Sequence, residues 1–210
     1  EPLAGLDPVL KGRIADYLEP LFDQWQIPVL MVTHDQVDVR RLAKYVVLMR
    51  AGQVLAQGAT RDTLDRALLA EGMNHDAPIN VLRVESVRIE AGHPAGLLGD
   101  QTVHLAKSST ADWPTAAAGR AIYVHCLATD ITLSRQPIAG ISIRNQLRGQ
   151  IQEVVARGDV VLARVALPAP DDPPALWAEV TTEAARELQL APGSAVTCLI
   201  KATALHPVGW

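Results

Sequence analysis

Apolar residues Leu10, Ile14, Tyr17, Leu18, Leu21 and Trp25 recur at three- and four-residue spacing, predicting an amphipathic helix with one face packed on a sheet. Asp7 and Pro8 open it. The aspartate oxygen can accept a free amide at the N-cap, and proline lacks an N–H that the first turn does not need. Pro20 is expected to kink or interrupt this helix. The run Pro28-Val-Leu-Met-Val-Thr33 is apolar without a break, the pattern of a strand buried on both faces in a parallel sheet. His34 and Asp35 follow at its carboxyl end, where open α/β sheets gather ligands and catalytic groups; a histidine that merely caps the next helix is the plainer alternative. Residues 36–44 read as that helix, 45–49 as a strand turning through 50–53 into 54–57, and 60–70 as a last helix.

Turn formers gather in Gly72-Met-Asn-His-Asp-Ala-Pro78, and the texture then changes to short alternating β-like segments at 81–89, 102–105, 121–125 and 131–133. A further strand at 160–167, a proline-rich loop at 168–174, a segment at 176–180, a short helix capped by Thr181 and a closing strand at 195–202 complete the chain. The pattern predicts an α/β portion over 1–76 and, from Ile79, short strands that suggest a small barrel.

Composition narrows the chemistry. The 210 residues, 49% hydrophobic and 20% charged, are enough for one or two domains. A formal charge of −4 gives no basic field for nucleic acid, and no basic helix pair of a transcription regulator is present, so any anion site must be local. Cys126 and Cys198 lie in apolar runs without zinc or redox spacing and read as buried thiols. His75, His93, His104, His125 and His206 share no metal-ligand spacing, so no metal-cation site is expected, and Trp113, Trp177 and Trp210 read as packing residues. No apolar stretch approaches the ~20 residues of a membrane span, and no leader pattern opens the chain; a soluble intracellular protein is expected, its first residues looking cut mid-domain.

Glu1-Pro2, Ala4-Gly5-Leu6-Asp7, Thr33-His34-Asp35 and the hairpin from Leu48 to Gly58 resemble, in order and spacing, the second half of an ABC ATPase domain. The resemblance implies a partial RecA-like P-loop NTPase sheet with helices. In it Glu1 would polarise the attacking water, Ala4, Gly5, Leu6 and Asp7 would form the D-loop at a dimer interface, and His34 would contact the γ-phosphate. Phosphoryl transfer needs a positioned water and charge stabilisation more than covalent chemistry, which suits those residue types. The sequence departs from the family in having no GxxxxGK[ST] loop, signature motif or Walker B strand, so ATP with Mg²⁺ is expected to act only in a complete subunit and this chain to hydrolyse none.

Toward the end, Ser142-Ile-Arg-Asn-Gln-Leu-Arg-Gly149 and Ile200-Lys-Ala-Thr203 resemble the molybdate-binding Mop, or TOBE, domain, and the stretch from Ala128 to Ser134 resembles what precedes it in molybdate ABC ATPases. That implies a β-rich connecting segment over 77–138 and, as a domain over 139–206, an all-β, OB-like barrel with one short helix. Ser142 and Asn145 can donate neutral hydrogen bonds to a tetrahedral oxyanion, and Arg144 and Lys201 charge-assisted ones; composition alone would leave them surface cations and a turn residue. In such domains the site resembles one shared between subunits, so Ser142, Arg144 and Asn145 of one copy would meet Lys201 and Thr203 of another. The leading expectation is therefore the ATP-binding subunit of a molybdate or tungstate importer, homodimeric, on the cytoplasmic face of the membrane with permease partners, its terminal domain lowering transport when oxyanion is abundant. The alternatives are a non-enzymatic molybdate sensor or store, and an ABC ATPase for sulfate, a sugar or a polyamine.

Overall fold

A computed structural model describes residues 1–25, 27–69, 77–106, 119, 121–169 and 173–208. The turn expected at 72–76, His75, most of the loop expected at 107–119 with Trp113, and Trp210 lie outside the described residues. The chain divides into two compact units, Glu1–His75 with Val208–Trp210, and Asp76–Pro207.

In the first unit, helix α1 spans Pro8–Gln24. Asp7 Oδ1 accepts from the Leu10 amide at 3.0 Å, the N-cap bond the sequence predicts, and the helix runs on past Pro20 for another turn. Helix α2 covers Gln36–Leu42; the Asp35 side chain accepts from the amides of Val37 and Asp38 at 2.8 and 3.3 Å. Strands β1 (Tyr45–Arg50) and β2 (Gln53–Ala59) form an antiparallel hairpin. Its two turn residues, Ala51 and Gly52, both have positive φ, the geometry whose twist matches that of the flanking strands. Helix α3 is Thr60–Leu69.

Charge joins these helices. Lys11 on α1 pairs with Asp35 and, at 2.9 Å, with buried Asp38; buried Arg41 on α2 pairs with Asp16 and reaches the Gly12 carbonyl; Arg40 meets Asp65 on α3 at 3.0 Å. The run 28–33 corrects the sequence expectation. It forms no strand, and Val29, Leu30 and Val32 are exposed, Leu30 at 92%. A strand is defined by its neighbours, and no described strand lies alongside to pair with it.

The second unit is built from strands: β3 (Ile79–Glu90), β4 (His93–Leu98), β5 (Gln101–His104), β6 (Ile122–Leu127), β7 (Ile131–Ser134), β8 (Asn145–Arg157), β9 (Val160–Ala166), β10 (Ala175–Thr181), β11 (Ala195–Ile200) and β12 (His206–Pro207), with one short helix, α4 (Thr182–Glu187). Thr181 caps α4, accepting from the Ala184 amide at 3.2 Å. The strands form two antiparallel five-stranded sheets, ordered β12-β6-β3-β4-β5 and β10-β9-β8-β11-β7. In the second sheet the end strands β10 and β7 touch, so the sheet curls back on itself as a barrel does.

Both sheets have the same plan: a long bulged strand at the centre, a hairpin partner on one side and a later strand on the other. The outermost strand is exchanged. β7 follows β6 in the chain but pairs with β11, and β12 follows β11 but pairs with β6. Packing repeats with sizes reversed. A Cβ at Gly96 on β4 would lie 2.8 Å from the Glu85 carbonyl and against Val84, whereas one at Gly149 on β8 would lie 2.8 Å from the Ala166 carbonyl and against Val165. Val84 stands four residues after Asn80 and Gly149 four after Asn145, so each sheet sets one valine against one glycine on opposite strands.

Burial along these strands follows the two-residue period, with Leu82 and Val84, Ile122, Val124 and Cys126, and Leu147 and Ile151 inside. Cys126 and Cys198 are buried free thiols, both pushed up to about 12 by burial. Trp177 is buried, as expected of a packing residue.

Candidate functional site

Two constellations carry chemistry, one in each unit. In the first, Glu1 and His34, 33 residues apart, meet: His34 Nδ1 lies 2.8 Å from Glu1 Oε1. The capped start of α2 and the Thr33 hydroxyl, which accepts from the Asp35 amide at 3.1 Å, fix the chain on either side of His34. The pair is open to solvent, with side chains 47% and 85% exposed. The hydrogen bond from His34, reinforced by its charge, holds the Glu1 carboxyl below the usual carboxylate range. A carboxylate and an imidazole in contact and accessible to water can orient a water molecule and accept its proton. Ala4 and Gly5, the expected D-loop residues, lie with Leu6 and Asp7 in the turn that leads into α1, where the Ala4 amide donates to the Glu1 carbonyl at 3.2 Å.

Below this pair, burial acts against the carboxylate at Asp35, but hydrogen bonds from Lys11 and the α2 amides outweigh it and bring the pKa down. At Asp38 burial wins and the pKa goes up. Both are tied to Lys11, which reads as support for the helix pair.

The second constellation stands at one end of the β8–β11 pair. The register sets Asn145 opposite Ile200, so the next positions outward, Arg144 and Lys201, leave the sheet at the same end. Ser142 and Thr203 follow on the two chains, Thr203 within the 3-10 turn Ala202–Ala204. The two strings thus leave one sheet at the same end within one chain, through the pairing of β8 with β11. Ser142, Arg144, Lys201 and Thr203 are exposed, and none of their side chains hydrogen-bonds or ion-pairs with another described residue.

Asn145 differs from these four. It is 1% exposed, and its carboxamide is committed to backbone: Oδ1 accepts from the His104 amide at 2.7 Å and Nδ2 donates to the His104 carbonyl at 2.9 Å. It thereby anchors the end of β5 beside Arg144. His104, missed as a site neighbour by sequence reading, feels the consequence: burial, then the Arg144 charge, lower its pKa, with Glu90 opposing. The arrangement offers two hydroxyls and two cations to a tetrahedral anion, with a neutral imidazole alongside.

Asn80 makes the same bracket elsewhere, accepting from the Trp177 amide at 2.7 Å and donating to the Trp177 carbonyl at 2.9 Å. The signal was legible in Ala77-Pro-Ile-Asn-Val-Leu-Arg83 against Ser142-Ile-Arg-Asn-Gln-Leu-Arg148, and in Leu127-Ala-Thr against Lys201-Ala-Thr, an internal repeat that only a deliberate search for self-similarity finds. Among the described residues no cluster of His, Cys, Asp and Glu could hold a metal ion, and no helix is long and apolar enough to cross a membrane.

The TOBE domain family profile matches residues 141–207. The molybdenum import ATP-binding protein ModC of Thiobacillus denitrificans is 37% identical over 98% of this chain and 55% of that protein. The proteins of the same name from Methylococcus capsulatus and Yersinia pseudotuberculosis are 34% and 32% identical, again over 98% of this chain and over 56% and 55% of theirs. The chain therefore spans about half the length of the curated relatives it matches. A solved structure of the cytoplasmic molybdate-binding protein ModG with molybdate bound covers 64% of this chain and 97% of that one, at a TM-score of 0.48 and 20% identity.

Proposed function

The chain belongs by sequence to the family of molybdenum import ATP-binding proteins, and from that premise we propose that it forms part of the ATP-binding subunit of a molybdate or tungstate importer. Its strand-rich unit binds the oxyanion. The observation that carries this reading is the β8–β11 register, with Arg144 and Lys201, flanked by Ser142 and Thr203, at one solvent-open end of a sheet and their side chains without a hydrogen-bond or ion-pair partner among the described residues. A dianion there gains charge-assisted bonds from both cations and neutral ones from both hydroxyls. Asn145 acts as a positioning residue through His104.

In the first unit, Glu1 and His34 fit the water-activating carboxylate and the γ-phosphate-contacting histidine of a complete ATPase, with residues 4–7 as its D-loop. Their mutual hydrogen bond keeps the carboxylate ionised and aimed. ATP with Mg²⁺, when bound, would supply the triphosphate and the neutralising charge. The whole subunit would act as a homodimer beside permease subunits on the cytoplasmic face of the membrane, with oxyanion occupancy lowering transport.

Isothermal titration of the chain with molybdate tests the site, with sulfate as competitor. Saturable binding that Arg144→Ala abolishes is the expected result. In parallel, an NMR titration of His104 reports locally: a dianion beside Arg144 offsets the repulsion that holds the imidazole pKa down, so saturating molybdate should raise it. Binding with an unmoved His104, or unaffected by Arg144→Ala, puts the oxyanion elsewhere.

A further inference from the structure

The reciprocal brackets fix which residues correspond. Asn80, near the start of β3, grips the Trp177 backbone on β10, and Asn145, at the start of β8, grips the His104 backbone on β5. Each asparagine stands at or next to the first residue of the central strand of its own sheet and ties it to an end strand of the other. Across the sheets Asn80 pairs with Cys126 and Asn145 with Ile200. Counting outward from these anchors, Ala77 answers to Ser142, Ile79 to Arg144, Leu127 to Lys201, Ala128 to Ala202 and Thr129 to Thr203. Both later segments enter a 3-10 turn at the alanine, Ala128–Asp130 and Ala202–Ala204, and both then cross to the other sheet.

What the two ends share and what they do not separates architecture from chemistry. The asparagine bracket, the buried leucines Leu82 and Leu147 and the Ala-Thr turn occur in both. The hydroxyl and the two cations occur in one only, and their counterparts are all apolar; Leu127 stands 42% exposed where Lys201 stands in the other copy. Since an end with Ala77, Ile79 and Leu127 folds into the same strand register and turn, Ser142, Arg144 and Lys201 are not needed for that geometry. They are surplus to the fold, as ligand-binding groups are.

We infer that residues 77–207 are a tandem duplication with exchanged outer strands, in which one end holds a tetrahedral oxyanion and the equivalent end is blanked by Ala77, Ile79 and Leu127, so that each chain takes up one anion. This rests on the oxyanion reading of the Arg144 end. Residues 77–138 are then a first copy whose outer strand completes the second sheet.

Equilibrium dialysis of the full chain against radiolabelled molybdate reads the stoichiometry directly. The wild-type chain should bind one equivalent. Ser142→Ala/Arg144→Ile/Lys201→Leu, which writes the blank end's residues into the other end, should keep the wild-type melting temperature and bind at least ~10-fold more weakly, as loss of charge-assisted bonds requires. Ala77→Ser/Ile79→Arg/Leu127→Lys should bring the stoichiometry to two. Two equivalents in the wild-type chain would overturn the blanked end while leaving the oxyanion reading intact, whereas one equivalent that survives the first triple variant would put the oxyanion elsewhere and overturn both. A first triple variant that unfolds would show the three donors to be structural and overturn the inference as well. No binding by the wild-type chain would remove the oxyanion reading and the inference together. A second triple variant that melts like wild type yet stays at one equivalent would mean that other residues close that end, against the inference.

Discussion

The two units solve burial in opposite ways. Among the described residues of the first, only Leu3, Ala15, Leu64 and Ala67 are buried apolar side chains, while Tyr17, Trp25, Ile27, Leu30, Val32 and Met49 are among many large ones in solvent. The second buries a continuous set from Leu82 to Leu205 and exposes Ile89, Leu127, Ile138 and Ile141. The buried charges follow the same division: Asp38, Arg41 and Asp65 lie in the first unit, whereas the buried polar residues of the second are Asn80, Asn145 and Thr197. An antiparallel sheet that curls can cover its own apolar face. A parallel-type strand such as 28–33 depends on neighbours at both edges and cover on both faces.

The sharpest way to break this contrast is to make one change in both units. Leu162→Ala, at a fully buried position on β9, should cost about 2–5 kcal/mol in chemical denaturation, whereas Leu30→Ala should stay within about 0.5 kcal/mol. Equal costs would mean that the first unit buries 28–33 after all. Next come the brackets. Asn80→Ala and Asn145→Ala each strand a backbone N–H and a carbonyl and should each cost roughly 1–3 kcal/mol, by matching amounts; a silent change at either would end the equivalence of the two sheets. In the first unit, Arg41→Met should cost about 1–2 kcal/mol, less than a fully buried pair because Asp16 is half exposed and water screens it. Hydrogen exchange should show loosened α1 and α2 amides with β8–β11 unchanged.

The smallest effect is in pH. Burial works against the Lys11 charge, but its bonds to Asp35 and Asp38 win and raise its pKa. A raised lysine contributes stability that is complete below its unfolded pKa of about 10.4 and is lost as pH rises through the folded value. The first unit should therefore lose stability on the alkaline side in a way that Lys11→Met flattens. Asp35, with a depressed pKa, adds stability that is lost as pH falls through its folded value; Asp38, with a raised one, contributes the other way, so acid should affect this cluster little. A steep acid transition confined to α1 and α2 would contradict the opposing pair.

Local chemistry was legible along the chain. Helix starts at Asp7 and Thr181, the 50–53 turn, the alternation of the strands and the buried thiols depend on near neighbours, so the sequence determined them; the cap of α2 is Asp35, where the sequence offered His34 as the capping alternative. It also named Glu1 with His34, and Arg144 with Lys201, through motif resemblance. The extent of α1 past Pro20 and the fate of 28–33 were not legible, because each turns on what surrounds the segment. Nor was the split between Asn145 and its neighbours: a Ser-x-Arg-Asn string presents three polar residues alike, and only β5, arriving from 41 residues earlier, takes the asparagine out of solvent and leaves the arginine in it. Sequence by itself fixed which donors the chain carries. Tertiary structure decided which remain free for a ligand, because strand exchange and register are long-range pairings that fold donors into backbone or leave them at an open end.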